Sequence, residues 1–173
     1  GRGEGEGGAG DDALAGGGWR DVLRGDAGAD TVLGGDGNDR LFGGGANADL
    51  SGERGFDTLF GGAGDDLLSG GFGRDALTGG AGADTLEGGV WHDTLTGGAG
   101  ADVFVFASAD GSDEITDFAA GEDVIDFAGL ASRAEVTFAQ EGADTRLDWQ
   151  GTSVLVRDAA VADLDTDATF GLG

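Results

Sequence analysis

The chain has no Cys, Pro, Met or Tyr, a single His, and only 9 Lys plus Arg in 173 residues. Without Cys there is no disulfide and no thiolate metal site to compensate for a thin core. The scarcity of cations opposes binding to nucleic acid or an anionic membrane, because such affinity comes from clustered Lys and Arg on phosphates. No apolar run approaches the roughly 20 residues that span a bilayer, so no transmembrane segment is expected. The chain opens on Gly1 without any Met, so a preceding segment of the gene product is expected and an N-terminal signal peptide is not readable. What the chain does have is 40 Gly and 34 Asp plus Glu, with a formal charge of -25. So much Gly and like charge oppose helical bundles and compact α/β folds, and composition alone would suggest disorder.

The order of the residues overturns that suggestion. A nine-residue unit, Gly-Gly-x-Gly-x-Asp-x-Leu-x, starts at Gly7 and runs without insertion or deletion to Val105, giving eleven units. The sixth position reads Asp12, Asp21, Asp30, Asp39, Ala48, Asp57, Asp66, Asp75, Asp84, Asp93, Asp102, and the eighth is apolar throughout, from Leu14 to Phe104. A low-complexity linker does not hold such register at two chemically different positions. Residues 1–6 read as a lead-in, 7–105 as the repeat, and 106–173 as a C-terminal cap. In the cap only 7 of the 40 glycines remain, and Val103–Phe106, Val124–Phe127, Val136–Phe138, Thr145–Trp149 and Ser153–Val156 read as strands.

Each unit divides into a six-residue turn, where Gly supplies positive φ, and a three-residue strand whose Leu points inward. Two units make one coil, and units of equal parity stack at about 4.8 Å. Each side of the stack therefore carries a ladder of carboxylates: Asp12, Asp30, a gap at Ala48, Asp66, Asp84 and Asp102 on one, and Asp21, Asp39, Asp57, Asp75 and Asp93 on the other. Carboxylates this close repel unless a cation lies between them. Free carbonyls in the turns complete an all-oxygen site, which favours Ca²⁺ over Mg²⁺. Seven of the nine same-side gaps have an Asp above and below, so about seven ions are expected. The burial offered by eleven inward side chains falls far short of the entropy of ordering 99 residues, so folding is expected to require the metal.

The nonamer resembles that of the repeats-in-toxin (RTX) proteins. The segment Gly97–Phe106, with Ile115-Thr116-Asp117-Phe118 and Gly121–Phe127, is similar to the region after the last repeats of serralysin-type proteases, RTX lipases and mannuronan epimerases. The resemblance implies an all-β, right-handed parallel β-roll with a C-terminal antiparallel cap. It also implies that each ion takes the sixth-position Asp of two same-side turns, carbonyls of positions one and three from one turn, and carbonyls of positions two and four from the other. On four good copies these carbonyls belong to Gly34, Gly35, Asp36 and Gly37; to Gly61, Gly62, Ala63 and Gly64; to Gly70, Gly71, Phe72 and Gly73; and to Gly79, Gly80, Ala81 and Gly82. It further implies secretion by a Gram-negative type I apparatus through a C-terminal signal ending in Asp167–Gly173, and an upstream domain in the same polypeptide.

Departures from the pattern are specific. Ala48 removes a carboxylate, for which Asn47 or Asp49 would substitute through a local bulge. Trp19 and Trp91 replace the fourth-position Gly, as surface packing or as platforms for a sugar, while Asp26 and Glu53 occupy Gly positions. Asp110, Asp113, Asp117, Glu122 and Asp123 follow the last repeat, as one more Ca²⁺ site or as a solvated loop. Gly5–Gly10 matches a dinucleotide fingerprint without the strand and helix it requires. Asp163–Asp167 begins like an EF-hand loop but has Ala168 where Gly is needed. Lone His92 reads as an exposed turn residue, and no catalytic constellation is visible. The expected function is a non-catalytic calcium-binding module that folds outside the cell; the alternative is a polysaccharide-binding module, against which the low count of basic residues weighs.

Overall fold

In a computed structural model, which describes residues 2–128 and 135–164, the chain is all-β apart from a four-residue helix, α1 (Val161–Leu164). Odd-numbered strands β1 (Glu4–Ala9), β3 (Val22–Ala27), β5 (Arg40–Gly44), β7 (Thr58–Ala63), β9 (Ala76–Ala81), β11 (Thr94–Ala99) and β13 (Ser112–Ile115) form one parallel sheet. Even-numbered strands β2 (Ala13–Gly18), β4 (Thr31–Asp36), β6 (Asp49–Arg54), β8 (Leu67–Phe72), β10 (Thr85–Val90), β12 (Val103–Phe106) and β14 (Val124–Phe127) form the other. Two nonamers make each coil, and seven coils make a parallel solenoid. Register advances by 18 residues per coil through the repeat, as in Leu50↔Leu68 and Leu68↔Leu86.

Most strands in the repeat are six residues long, twice the expected length, and the expectation of a six-residue turn is corrected accordingly. The ladder continues past the apolar triplet because backbone groups of the glycines pair as well as any others; pairing skips only the first position, where the strand turns a corner. That leaves three residues per turn, positions three to five, above the sixth-position Asp, the fourth position being half-buried in most turns and buried at Gly73. Between the sheets lies a single column of eighth-position side chains, Leu23, Val32, Leu41, Leu50, Leu59, Leu68, Leu77, Leu86, Leu95 and Phe104, all buried. Strand β1 begins in the lead-in and pairs with β3, with Gly5 opposite Leu23.

At the far end, β15 (Thr137–Glu141), β16 (Asp144–Trp149) and β17 (Thr152–Val156) extend the odd sheet in the order β13-β17-β16-β15. β17 runs parallel to β13, and the last two pairings are antiparallel. Leu147, Trp149, Val154 and Val156 are buried and Phe138 packs against them. Phe127 of β14 meets Trp149 at 5.2 Å between ring centroids, so this extension covers the last coil of the even sheet. Strand β13 was not among the strands read from sequence. Its Ser-Asp-Glu-Ile continues the Asp-x-apolar pattern two residues out of phase. The stretch Asp167–Gly173 expected as a secretion signal, and Asp165–Asp167 of the EF-hand-like motif, lie outside the described residues.

Candidate metal centre

The sixth-position carboxylates fall directly above one another on the two turn edges. On one edge the amide of Asp21 donates to Oδ1 of Asp39, that of Asp39 to Asp57, and that of Asp57 to Asp75, each at 2.7 Å; Asp75 donates to Asp93 at 2.8 Å and Asp93 to Asp113 at 2.9 Å. On the other edge Asp12 donates to Asp30, Ala48 to Asp66, Asp66 to Asp84, Asp84 to Asp102 and Asp102 to Asp123, at 2.7–3.0 Å. Oδ1 of each ladder carboxylate after Asp12 is thus used to register the coils, that of Asp21 accepting the amide of Gly3. The other, Oδ2, is buried without any hydrogen-bond partner in Asp12, Asp21, Asp30, Asp39, Asp57, Asp66, Asp75, Asp84, Asp93, Asp102 and Asp113.

Burying a carboxylate oxygen without a partner is among the costliest arrangements a protein can adopt. Burial pushes Asp57 and Asp113 up to about 7 and Asp75 and Asp93 up to about 6, against the single backbone hydrogen bond each accepts. Asp39, Asp66, Asp84 and Asp102 are also raised, by burial first and by neighbouring carboxylates second.

The orphan oxygens face a consistent second donor. A Cβ added to Gly34 would lie 2.7 Å from Oδ2 of Asp39 and 2.9 Å from the carbonyl oxygen of Gly52 in the next coil. At Gly70 the same point lies 2.7 Å from Oδ2 of Asp75 and 2.5 Å from the carbonyl of Gly88. The first-position Gly therefore leaves open a space into which a carboxylate and a carbonyl of successive coils converge. Fourth-position glycines serve close stacking instead: a Cβ on Gly73 would overlap the carbonyl of Gly55. Third-position carbonyls of Phe72 and Ala81 accept the amides of Gly55 and Gly64, each at 2.9 Å; a carbonyl has a second lone pair for a further partner. Among the described residues no three Asp, Glu or His side chains converge. The donor set is carboxylates plus backbone carbonyls, all oxygen and without nitrogen or sulfur, which is what a hard cation takes.

The break at Ala48 is not repaired. Register is kept on both sides, Asp49 pairing with Thr31 and Leu67. Asn47 is committed elsewhere, its Oδ1 accepting the amide of Asp65 at 3.0 Å. The expected bulge is therefore absent, because shifting the register would turn Leu50 out of the core. Asp26, Glu53, Trp19 and Trp91 all sit at positive φ, 73°, 71°, 82° and 114°, in the conformation their neighbours reach with Gly.

Reading by nine-residue phase missed two ladder members. Asp113 and Asp123 stand 20 and 21 residues after Asp93 and Asp102 and accept their amides. The signal available was the triplets Asp113-Glu114-Ile115 and Asp123-Val124-Ile125, which repeat the Asp-x-apolar pattern. The acids after the last repeat thus divide rather than cluster. Asp117 accepts the amides of Gly97 and Gly98 at 2.9 Å and ends one edge. Asp110 accepts the amide of Ala107, and Glu122 is exposed. His92 is exposed, with Nδ1 beside Ser112.

No curated protein matches this chain. Among solved structures it resembles the extracellular lipase LipA from Serratia marcescens, with 18% identity over 91% of this chain and a TM-score of 0.41. It also resembles the AlgE6R3 subunit from the Azotobacter vinelandii mannuronan C5-epimerase, with 28% identity over 79% of this chain and 78% of that one and a TM-score of 0.47. This chain spans 38% of the lipase's length. Residues 5–156 match the family described as peptidase M10 serralysin C terminal, and with most of its length inside that match the chain belongs to this family.

Proposed function

We propose that the chain is a non-catalytic module that binds several calcium ions between its stacked turns and orders only when they are bound. The observation that carries this reading is the row of eleven buried Oδ2 oxygens without partners, each in a turn rich in backbone carbonyls. Asp12, Asp21, Asp30, Asp39, Asp57, Asp66, Asp75, Asp84, Asp93 and Asp102 would supply carboxylates, joined by Asp113 and Asp123. Backbone carbonyls of the first four positions of each turn would complete the shell. Adding the gaps closed by Asp113 and Asp123 raises the number flanked by two carboxylates from seven to nine. Each divalent ion would cancel two charges of the -25, lifting the self-repulsion that opposes compaction.

Such a module stays extended where calcium is scarce and folds where it is abundant. That suits a C-terminal portion of a larger exoprotein exported unfolded by a type I route and stabilised after arrival outside. Any chemistry of the whole protein would belong to the upstream part. The test is calcium titration of the metal-free chain at neutral pH, followed by far-ultraviolet circular dichroism and calorimetry. Cooperative gain of β signal with several ions bound is expected; a full β spectrum in chelator would refute the reading.

A further inference from the structure

The two turn edges differ in a way that metal binding does not explain. On the edge of the Asp12 ladder, turn positions three to five hold only Gly, Ala, Asp and Asn, as in Ala27-Gly28-Ala29 and Ala81-Gly82-Ala83. On the edge of the Asp21 ladder the same positions read Gly18-Trp19-Arg20, Asp36-Gly37-Asn38, Arg54-Gly55-Phe56, Phe72-Gly73-Arg74 and Val90-Trp91-His92. Phe56, Phe72 and Trp91 belong to three successive coils of that edge and stand 57%, 59% and 61% exposed. They are not scattered: together with Gly55 and Gly73 they line one open cleft of about 300 Å³.

The fold dictates the shape of this cleft. Phe72 is the last residue of β8 and Phe56 stands two residues before β7, so the two flank the turn tips from opposite sides. Between them the tip residues are Gly55 and Gly73, and neither has room for a side chain. A Cβ on Gly73 would overlap the carbonyl of Gly55, and one on Gly55 would overlap that of Gly37. Trp91 occupies the tip of the next coil, at a φ of 114° that Gly ordinarily supplies. Its backbone is pinned from the far side, the amide donating to Asp110 at 2.6 Å and the carbonyl accepting the amide of Ser112 at 3.0 Å. A bulky residue held in that conformation persists where it serves a purpose. Two aromatic walls and an aromatic end thus stand on a glycine floor.

The chemistry of the cleft is narrow. No charged or hydroxyl side chain lines it, whereas carboxylates line the three clefts beside it: Asp36 and Glu53 with Arg54, Asp39 with Arg20 and Arg40, and Asp93, Asp113 and Glu114 with Arg74. The nearby arginines therefore open onto carboxylates and leave this cleft uncharged. Rings on this side of the molecule already serve cations. Arg54 lies 5.9 Å from the centre of Phe72, and Arg24 and Arg40 lie 4.8 and 5.7 Å from that of Phe42.

The charge of the whole chain selects the same class of ligand. Nine divalent ions would still leave the chain negative, so cations are concentrated at its surface and anions repelled. A primary ammonium entering the cleft would forfeit hydrogen bonds to water that no lining side chain replaces. An ammonium with methyl groups in place of hydrogens forfeits none, and the negative faces of the rings attract it.

We infer that Phe56, Phe72 and Trp91 form a site for a quaternary ammonium group of the choline type. The inference rests on the calcium reading only through the fold, since ordered coils set the spacing of the rings.

The test is titration of the calcium-loaded chain with choline, followed by the upfield shift of its methyl proton resonance and by tryptophan fluorescence. Ethanolamine keeps the charge without the methyl groups, and dimethylbutanol, with carbon in place of the nitrogen, keeps the shape without the charge. Choline should saturate with a Kd of about 1 mM or below, and each of the other two should bind at least about tenfold more weakly. Trp91→Gly restores the residue other turns use, so it relieves strain rather than threatening the fold. That variant and Phe72→Leu should each lose about fivefold in affinity or more. Trp19→Gly, on the same edge but outside the cleft, should bind as the parent chain does. Absence of choline binding, equal binding of either analogue, or unchanged affinity in both cleft variants overturns the inference. So does an equal loss in Trp19→Gly, or self-association in sedimentation that Trp91→Gly abolishes. Flotation with vesicles separates the sources of the group: flotation with phosphatidylcholine alone places it on a lipid, and choline binding without flotation places it on a soluble compound. Equal flotation with phosphatidylethanolamine overturns the inference. Circular dichroism on the same samples keeps the two readings apart: a chain without β structure in calcium refutes the metal reading, and an ordered chain that ignores choline refutes this one alone.

Discussion

Ala48→Asp should add calcium sites and stabilise the module. Ala48 interrupts one ladder between Asp30 and Asp66, leaving the two adjoining gaps with a single carboxylate each. There is room for the missing group. The Cβ of Ala48 lies 2.6 Å from the Cβ position of Gly43, much as the Cβ of Asp57 and of Asp75 lies 2.9 Å from those of Gly52 and Gly70. A carboxylate at residue 48 would follow the path the others take, accept the amide of Asp30 and face both gaps. One hydrogen bond to a charged group contributes about 1.5–3 kcal/mol. One additional ion at a hundredfold excess over its Kd contributes about 2.7 kcal/mol. Together these give about 4–6 kcal/mol, which in a chain of this length raises Tm by roughly 8–24 °C. Calorimetry should count one or two more ions, and thermal melts in calcium should show the shift. In chelator the same substitution adds a buried charge with no counter-ion, so residual β signal should fall. Equal stabilisation with and without calcium, or an unchanged ion count, would refute the account of the ladder as a metal site.

Other expectations follow from the same geometry. Gly70→Ala places a methyl 2.5 Å from the carbonyl of Gly88 and 2.7 Å from Oδ2 of Asp75 at a position without positive φ; it should cost about one bound ion in calorimetry, while Ala81→Gly, at the exposed third position of a turn, should cost none. Leu68→Ala, in the middle of the buried column, should destabilise the calcium form by about 2–5 kcal/mol, read as a lower Tm at constant calcium. In metal-free solution the carboxyls of Asp57, Asp75, Asp93 and Asp113 sit at about 6–7, above their unfolded value of about 4. Groups raised in this way favour the stacked state below that unfolded value and cease to do so as pH rises through 6–7. The chelated chain should therefore gain β signal on acidification from pH 8 to pH 4, and a flat pH profile would contradict the burial of these groups. For the same reason protons compete with calcium, and the calcium needed for folding should increase as pH falls below about 6.

Much of this architecture is written in the nonamer. The sixth-position Asp and eighth-position Leu keep phase over eleven units, and because neighbouring strands stack directly, that phase alone dictates the two carboxylate ladders and the single apolar column. The strands were underestimated because strand signals rest on side chains, and the Gly-Gly-x stretch that continues each strand has almost none. Asp113 and Asp123 escaped because insertions of two and three residues break a sequence phase without breaking a stack: the inserted residues loop outward and the next Asp drops back onto the ladder. Ala48 is visible in the sequence as a gap, but only intact pairing on either side decided that Asn47 and Asp49 do not fill it.

The repeat, the inward and outward alternation, and the accumulation of acids that calls for a cation are legible in the order of residues alone. Tertiary structure decided the rest, because it alone assigns partners. It uses Oδ1 of the ladder Asp residues after Asp12 to align the coils and, in all of them but Asp123, leaves Oδ2 buried without a hydrogen-bond partner. Phe56, Phe72 and Trp91 stand at unequal intervals in the sequence and mark no site there. Winding two units per coil nevertheless gathers them around one cleft, since residues 18 apart become neighbours at about 4.8 Å whatever the overall composition.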